Sequence, residues 1–552
     1  MHESNSVGSD APALTTNANA EASVVTSSAP RATKERSVKR FVKNVGSGWL
    51  AMLVGGLVGM ATLPMSMEYL DKELYSISAL VTTFLSIFNF LSFGLPPTLL
   101  RFFSLAFAEE DTARAHRILS TSVILLGSVG MFGALVFIAV YPIFLRFYSI
   151  PEYCHADLWI LYLVTAFHFF QTFTLVPYYA LVQARRRYDL TNFRRIFASL
   201  LRLVVLWLGF HIMGKTLLVL AVSSICSVVY ELCSILLIAY RLEGRRIIPI
   251  PRLFTKSLLK EMFSFSIYSL INSIFMPLLI SVPVLIIGRT LGKPSVAEFT
   301  PAVTICNLCA SILAAFASPL TPLASADKKR TGGANLGRWV TIIGEAVAFL
   351  GFMLFVGVGV MGRDFIYLWL GPGFVTTTAP TLMVLLFGVV CAHIQAVNYY
   401  LALGSSTIKP HAFSAMATSL TAIVLVFCGT RYFHWSVVQV AICISMCQVV
   451  RNACFLPYYY SGLFNYDFFD FTWRAYRRPI LIVIAVLLVC YFVRSLLPSY
   501  HPTVVRLVLG SAAVAVFYSI VGWRFMVGQE VKERLPLVHK APKFVQKILL
   551  GK

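Results

Sequence analysis

Scanned for runs of apolar residues between polar breaks, the chain divides into long apolar stretches at about 45–66, 77–100, 118–145, 157–182, 196–213, 216–240, 263–288, 297–324, 339–361, 376–401, 412–430, 435–458, 479–493 and 503–523. An α-helix needs about 20 residues to cross a bilayer. The pattern therefore predicts an all-α polytopic membrane protein with about 14 transmembrane helices. Residues 1–30 are mostly Ser, Ala, Thr and Asn, too poor in large apolar side chains to offset the entropy of ordering, so this head is expected to be disordered. A basic stretch follows (Arg31, Lys34, Arg36, Lys39, Arg40, Lys43), and then an apolar run from Val45. That run is too long and starts too far in for a cleavable signal peptide, and reads as the first span.

Composition agrees. Hydrophobic residues make up 58% of the chain and charged ones 13%, with a mean hydropathy of +0.77. That balance excludes a soluble enzyme, a disordered scaffold and a secreted disulfide framework. Ten of the eleven cysteines fall inside apolar stretches, where cysteine packs as a small hydrophobe. Cys306-x-x-Cys309 has the spacing of a metal or redox pair but sits within a span and has no second pair, so it reads as packing.

The net charge of +22 is explained by topology. With the head inside and the spans alternating, inner segments hold 35 Lys and Arg and outer segments 8, while Arg202, Arg451 and Arg506 lie within spans. This is the bias of the positive-inside rule, and it places both termini in the cytoplasm. The expected partner of these charges is anionic lipid rather than nucleic acid, and the tail 524–552 reads as a surface-bound basic segment.

The chain also repeats itself. Arg117, Pro151, Tyr178 and Tyr179 recur 221 residues later as Arg338, Pro372, Tyr399 and Tyr400. The offset carries span 1 onto span 7 and span 6 onto span 12, so two six-helix lobes enter from the same face, with two helices appended. The expected division is a head (1–44), an N-lobe (45–240), a cytoplasmic loop (241–262), a C-lobe (263–458), a loop with helices 13 and 14 (459–523) and a tail (524–552). Two such lobes can rock about a central cavity, which points to a transporter.

Two stretches carry a family likeness: Phe90-Leu-Ser-Phe-Gly94-Leu-Pro-Pro-Thr-Leu-Leu-Arg101, and Gly362-Arg-Asp-Phe-Ile-Tyr-Leu-Trp369-Leu-Gly371-Pro-Gly-Phe374. With the six-plus-six-plus-two layout, they resemble the multidrug/oligosaccharidyl-lipid/polysaccharide (MOP) exporter superfamily, and within it the polysaccharide (O-antigen and exopolysaccharide, Wzx-like) flippases. The resemblance spans about residues 45–460 and departs at Tyr75-Ser76, where the family often has glycine. It implies a MATE/MOP-like fold and alternating-access export of a polyprenyl-diphosphate-linked oligosaccharide for polysaccharide biosynthesis, with polysaccharide-assembly proteins as partners. It also implies that Asn89, Asn272 and Asn307, in spans 2, 7 and 8, line the cavity.

Candidate chemistry follows from polar residues inside spans. Gly209-Phe-His-Ile-Met-Gly214-Lys215-Thr216 matches the phosphate-loop pattern, but its bulky residues and flanking spans argue against nucleotide binding. Energy is thus expected from an H⁺ or Na⁺ gradient or from the lipid's own, with no cofactor and no metal. An ionisable residue at mid-bilayer costs at least ~3 kcal/mol on insertion scales and needs a partner or water. Glu231 and Arg451 lie about 14 Å and about 12 Å from the inner ends of spans 6 and 12 at helical rise. They are expected in the cavity, Arg451 meeting diphosphate and Glu231 titrating with a coupling ion; the alternative is a static structural role. Glu345 is a second ion-coupling candidate, and Arg202 either snorkels to the headgroups or has a functional role in the membrane. Arg101, Arg117 and Arg338 stand at inner helix ends, as phosphate-binding cations or ordinary topological charges. Gln171, beside His168 and Thr172, and Gln395 and Asn398, beside Tyr399, share helix faces suited to sugar hydroxyls or to interhelical bonding. Two rival functions are a drug or organic-cation antiporter of the same superfamily and a membrane scaffold or glycosyltransferase. The first wants an acidic cavity, and the second a large outer loop.

Parallel insertion of the two halves has a direct consequence. Reporter fusions after residues 150 and 372 should both register the external side of the membrane.

Overall fold

The computed structural model describes residues 31–496, except 93, 186, 265–266, 318–319, 322–323, 325–326, 329–331 and 406, together with 510, 514, 518–520 and 524. The head 1–30, nearly all of span 14 and the tail lie outside the described residues, as does the side chain of Asn89. The described chain is all helical. The first half comprises α1 (Arg31–Ile87), α2 (Leu95–Ala108), α3 (Thr112–Ala139), α4 (Tyr141–Phe147), α5 (His155–Ala184), α6 (Tyr188–Met213) and α7 (Leu218–Glu243). After a linker containing α8 (Lys256–Ser264) come α9 (Ile267–Thr290), α10 (Lys293–Ala317), α11 (Leu336–Leu370), α12 (Val375–Ser405), α13 (Lys409–Tyr432), α14 (Val437–Val449) and α15 (Leu456–Phe464). A short α16 (Phe468–Thr472) leads into α17 (Arg478–Leu496). Eleven helical stretches of the described chain are long and apolar enough to span a bilayer, the first containing two of the expected spans.

Several spans are composite, for reasons visible in their residues. α1 breaks at Asp71 (φ 60°, ψ 176°), a conformation costly for a residue with a side chain. The Asp71 carboxylate accepts from the Glu73 and Leu74 amides and so caps the arm that follows. The expected span 77–100 is not one helix. It ends at Ile87, passes through a three-ten turn (Phe88–Ser92) and restarts after Gly94, whose φ of 65° suits glycine, at Leu95-Pro96-Pro97. Span 12 carries a π-helical stretch, Val450–Phe455, between α14 and α15.

The repeat is a repeat of packing. α3 against α5 recurs as α11 against α12, α5 against α7 as α12 against α14, and α1 against α6 as α9 against α13. Pro151 and Pro372 each lead into a three-ten turn (Glu152–Cys154 and Pro372–Phe374) that opens a long helix. Asp71 and Gly292, 221 residues apart, both take left-handed φ, 60° and 93°. α9 and α10 pack on α1, joining the lobes, and α17 lies on α11. The linker docks on the N-lobe: the Ile250 amide donates to Ser120 Oγ (3.1 Å) and the Thr255 amide to Thr121 Oγ1 (3.2 Å).

One close approach has no slack. A Cβ at Gly337 would stand 2.4 Å from the Phe464 carbonyl oxygen and 2.9 Å from that of Asn465, both backbone atoms that cannot swing away. Gly337→Ala should cost about 1–3 kcal/mol, as overpacking does, and lower the thermal midpoint of the purified protein.

Candidate functional site

A cavity of about 980 Å³ lies between the lobes. Its walls come from α1, α5, α6 and α7 on one side and α9 and α10 on the other. α1, α5, α7 and α10 contribute polar stripes at helical spacing: Thr62 and Ser66; Tyr75, Ser78, Thr82 and Ser86; Thr165, His168 and Thr172; Ser224 and Ser227; Thr300, Thr304 and Asn307. Ser86 and Ser281 meet across the lobes at 2.9 Å. Most of these hydroxyls donate to a carbonyl one turn back in their own helix, as Ser66 does to Thr62 (2.7 Å), Thr165 to Leu161 (2.7 Å) and Thr300 to Val296 (2.9 Å). A hydroxyl whose proton is engaged in this way still offers an oxygen lone pair to a ligand. Arg202 on α6 also faces this space, exposed within it, and no carboxylate stands among the described lining residues. The cavity is therefore hydroxyl-rich and cationic. Arg202, whose sequence context allows either the headgroups or a functional role, is the cavity residue that the sequence reading did not assign. The Ser/Thr stripes beside it were the available signal.

Of the residues expected to line the cavity, Asn307 does; His168 and Thr172, grouped with Gln171, do as well. Gln171 turns away and donates to the Val228 carbonyl (3.3 Å), tying α5 to α7. Asn398 donates to Gln395 Oε1 (3.0 Å) and to Tyr466 Oη (3.3 Å) within the C-lobe, and Asn272 on α9 is half-buried outside the cavity lining. Glu231 and Arg451 do not meet each other. Glu231 pairs with Arg194 (2.9 Å), whose guanidinium lies 4.8 Å from the Tyr179 ring centroid. Arg451 is buried in the C-lobe, donating to Ser414 Oγ (3.0 Å), to the His411 carbonyl (3.3 Å) and, more weakly, to Met276 Sδ (3.3 Å). Glu345, also buried, is 3.6 Å from Arg474. Arg101, Arg117 and Arg338 are exposed at the end of the molecule that carries residue 31, and Arg117 is 3.8 Å from Asp111. The phosphate-loop look-alike is helical through Met213, so its amides are engaged in the helix. Thr216 hydrogen-bonds Asp157 and caps the next helix through the Leu218 amide (3.1 Å).

Residues 41–326 match the model of a family described as polysaccharide biosynthesis protein. An uncharacterized membrane protein, EpsK of Bacillus subtilis (strain 168), is 21% identical over 440 residues, 77% of this chain and 84% of its own. Among solved structures, an inward-facing multidrug resistance MATE family transporter of the MOP superfamily superposes with a TM-score of 0.63 at 13% identity, over 79% of this chain and 95% of the other. The eukaryotic MATE transporter AtDTX14 gives 0.59 at 17% identity, over 80% and 99%. A MOP superfamily transporter from Pyrococcus furiosus, described as having a binding pocket of reverse polarity, gives 0.56 at 14% identity, over 77% and 96%.

The Arg194–Glu231 pair makes a stability prediction. Arg194→Met should strand the Glu231 carboxylate and lower the thermal midpoint. Glu231 is 25% exposed, so the loss should fall below the about 3–5 kcal/mol of a fully buried broken pair. Arg194→Met combined with Glu231→Leu should recover most of it.

Proposed function

The chain belongs to the polysaccharide biosynthesis protein family, and on that premise we propose that it is an alternating-access flippase for a polyprenyl-diphosphate-linked oligosaccharide. The observation that carries this reading is the cavity's chemistry: an uncompensated guanidinium among hydroxyls, with no carboxylate among the described lining residues. Sugar hydroxyls are donors, and a wall of hydroxyl oxygens accepts from them. A diphosphate is an anion, and Arg202 can bind two of its oxygens at once. In this reading Arg202 takes the phosphate-binding role first expected of Arg451. Asn307 and His168 add polar contacts, and Glu231 and Arg451 hold their own lobes together. An organic cation would meet the wrong charge here, which disfavours the drug-antiporter reading.

In the proposed cycle, the cytoplasmic face is the end carrying residue 31. Arg101, Arg117 and Arg338 attract the anionic headgroup there. The sugar enters the cavity while the polyprenyl chain stays in the lipid, and rocking of the lobes re-exposes the cavity outside. The cycle runs on an ion gradient or on the lipid's own gradient, without nucleotide.

Liposomes containing a labelled polyprenyl-diphosphate sugar test this. Arg202→Gln should slow translocation about 10- to 100-fold, the value of a hydrogen bond to a charged group, with Arg202→Lys recovering part. Rates unchanged by Arg202→Gln would remove the phosphate from this site. Efflux of organic cations without lipid translocation would favour the antiporter.

A further inference from the structure

At the end of the molecule opposite residue 31, two lysines cross between the lobes. Lys72, just after the break in α1, reaches into the C-lobe: its Nζ is 3.4 Å from Glu298 Oε1 and 3.3 Å from the Gly373 carbonyl oxygen, and 4.2 Å from the Phe374 ring centroid. Lys293, the first residue of α10, reaches into the N-lobe: its Nζ is 2.7 Å from Glu73 Oε1 and 3.2 Å from the Ser149 carbonyl oxygen. Lys293 stands 221 residues after Lys72, the offset of the internal repeat. Each lysine follows a residue in left-handed φ, Asp71 and Gly292, and each takes one carboxylate and one carbonyl from a turn of the opposite lobe. The Ser149 carbonyl lies three residues before the turn Glu152–Cys154 and the Gly373 carbonyl lies within the turn Pro372–Phe374, so the turns correspond in the repeat while the two acceptor positions are offset.

We propose that Lys72 and Lys293 form a reciprocal latch, related by the pseudo-two-fold of the lobes, that holds the external side of the cavity shut. The proposal rests on the alternating-access reading but not on the identity of the cargo. Both lysines sit at the lobe seam, so a single rigid-body rocking breaks both pairs together, and their contributions to the closed state multiply. The left-handed residue before each lysine turns the chain at the membrane surface and aims the side chain across the seam rather than along its own helix. The indole of Trp369, donating to the Met60 carbonyl across the same seam at 2.6 Å, closes alongside them. Lys293 is 15% exposed but its partner Glu73 is 44% exposed, so the pair remains open to screening by salt.

The test needs no cargo. A cysteine placed in the cavity (Thr304→Cys) in the full chain, expressed in cells, is titrated from outside with a membrane-impermeant maleimide, against the parent chain as background. An exposed pair is worth up to about 1 kcal/mol, or about five-fold. Lys72→Gln and Lys293→Gln should therefore each raise the labelling rate about five-fold, and both together about 25-fold. The exchanged pair Lys293→Glu with Glu73→Lys should label near the parent rate, while either half alone labels faster. That rescue also shows that the variants fold. Labelling unchanged in both glutamine variants, or an exchanged pair as reactive as its halves, would overturn the latch. Altered labelling with no lipid translocation by the parent would leave the latch standing and count against the flippase.

Discussion

A charge inside a bilayer must find a partner, a set of dipoles or water. The four ionisable residues at issue here meet that requirement in different ways. Glu231 finds Arg194 on the neighbouring helix, and Glu345 finds Arg474 just outside the span. Arg451 has no carboxylate within ion-pair distance among the described residues and is held by Ser414 and the His411 carbonyl beside a π-helical stretch. Arg202 alone of the four turns to the space between the lobes. Three of these solutions stabilise a lobe; the fourth leaves a cation available to something that enters.

The cavity exists because the chain builds the same helical unit twice. A lobe can bury its own apolar faces through pairs such as α3 with α5 and α11 with α12. The surfaces left over include the cavity faces of α1 and α10, where serine and threonine stand in place of leucine and valine. Hydroxyls suit such a surface. They satisfy their own protons on the helix backbone, so they tolerate an apolar surrounding, yet they present oxygen to a polar ligand. The lobes are joined by α9 and α10 packing on α1 within one cluster of buried apolar residues, to which polar points such as Ser86–Ser281 are added.

Arginine at mid-span is not by itself diagnostic of substrate binding. Arg451 and Arg202 have similar depth and the same chemistry, and both lie in apolar helices. Rotation about the helix axis decides between them: one faces α9 and α13, the other faces the cavity. Gln171 and Thr172 show the same division at single-residue resolution, since adjacent positions on α5 point to α7 and to the cavity.

Membrane class, the number of long apolar stretches and the duplication were all legible in the sequence, because bilayer thickness imposes a length and a repeat preserves register. The Pro151 and Pro372 turns stand where the 221-residue offset puts them. The restart at Gly94-Leu95-Pro96-Pro97 was written in its residues although the expected span 77–100 ran through it; the roles of the buried charges were not legible. They depend on which helix lies alongside, and that is set by packing between residues far apart in the chain. Glu231 was visible as a costly residue, but only the neighbouring helix could identify Arg194 as its partner and Arg202 as the charge left facing the cavity. Length, hydrophobicity and periodicity are local properties that a linear chain carries in full. The direction in which a side chain points, and what waits for it there, is a property of the assembled helices alone.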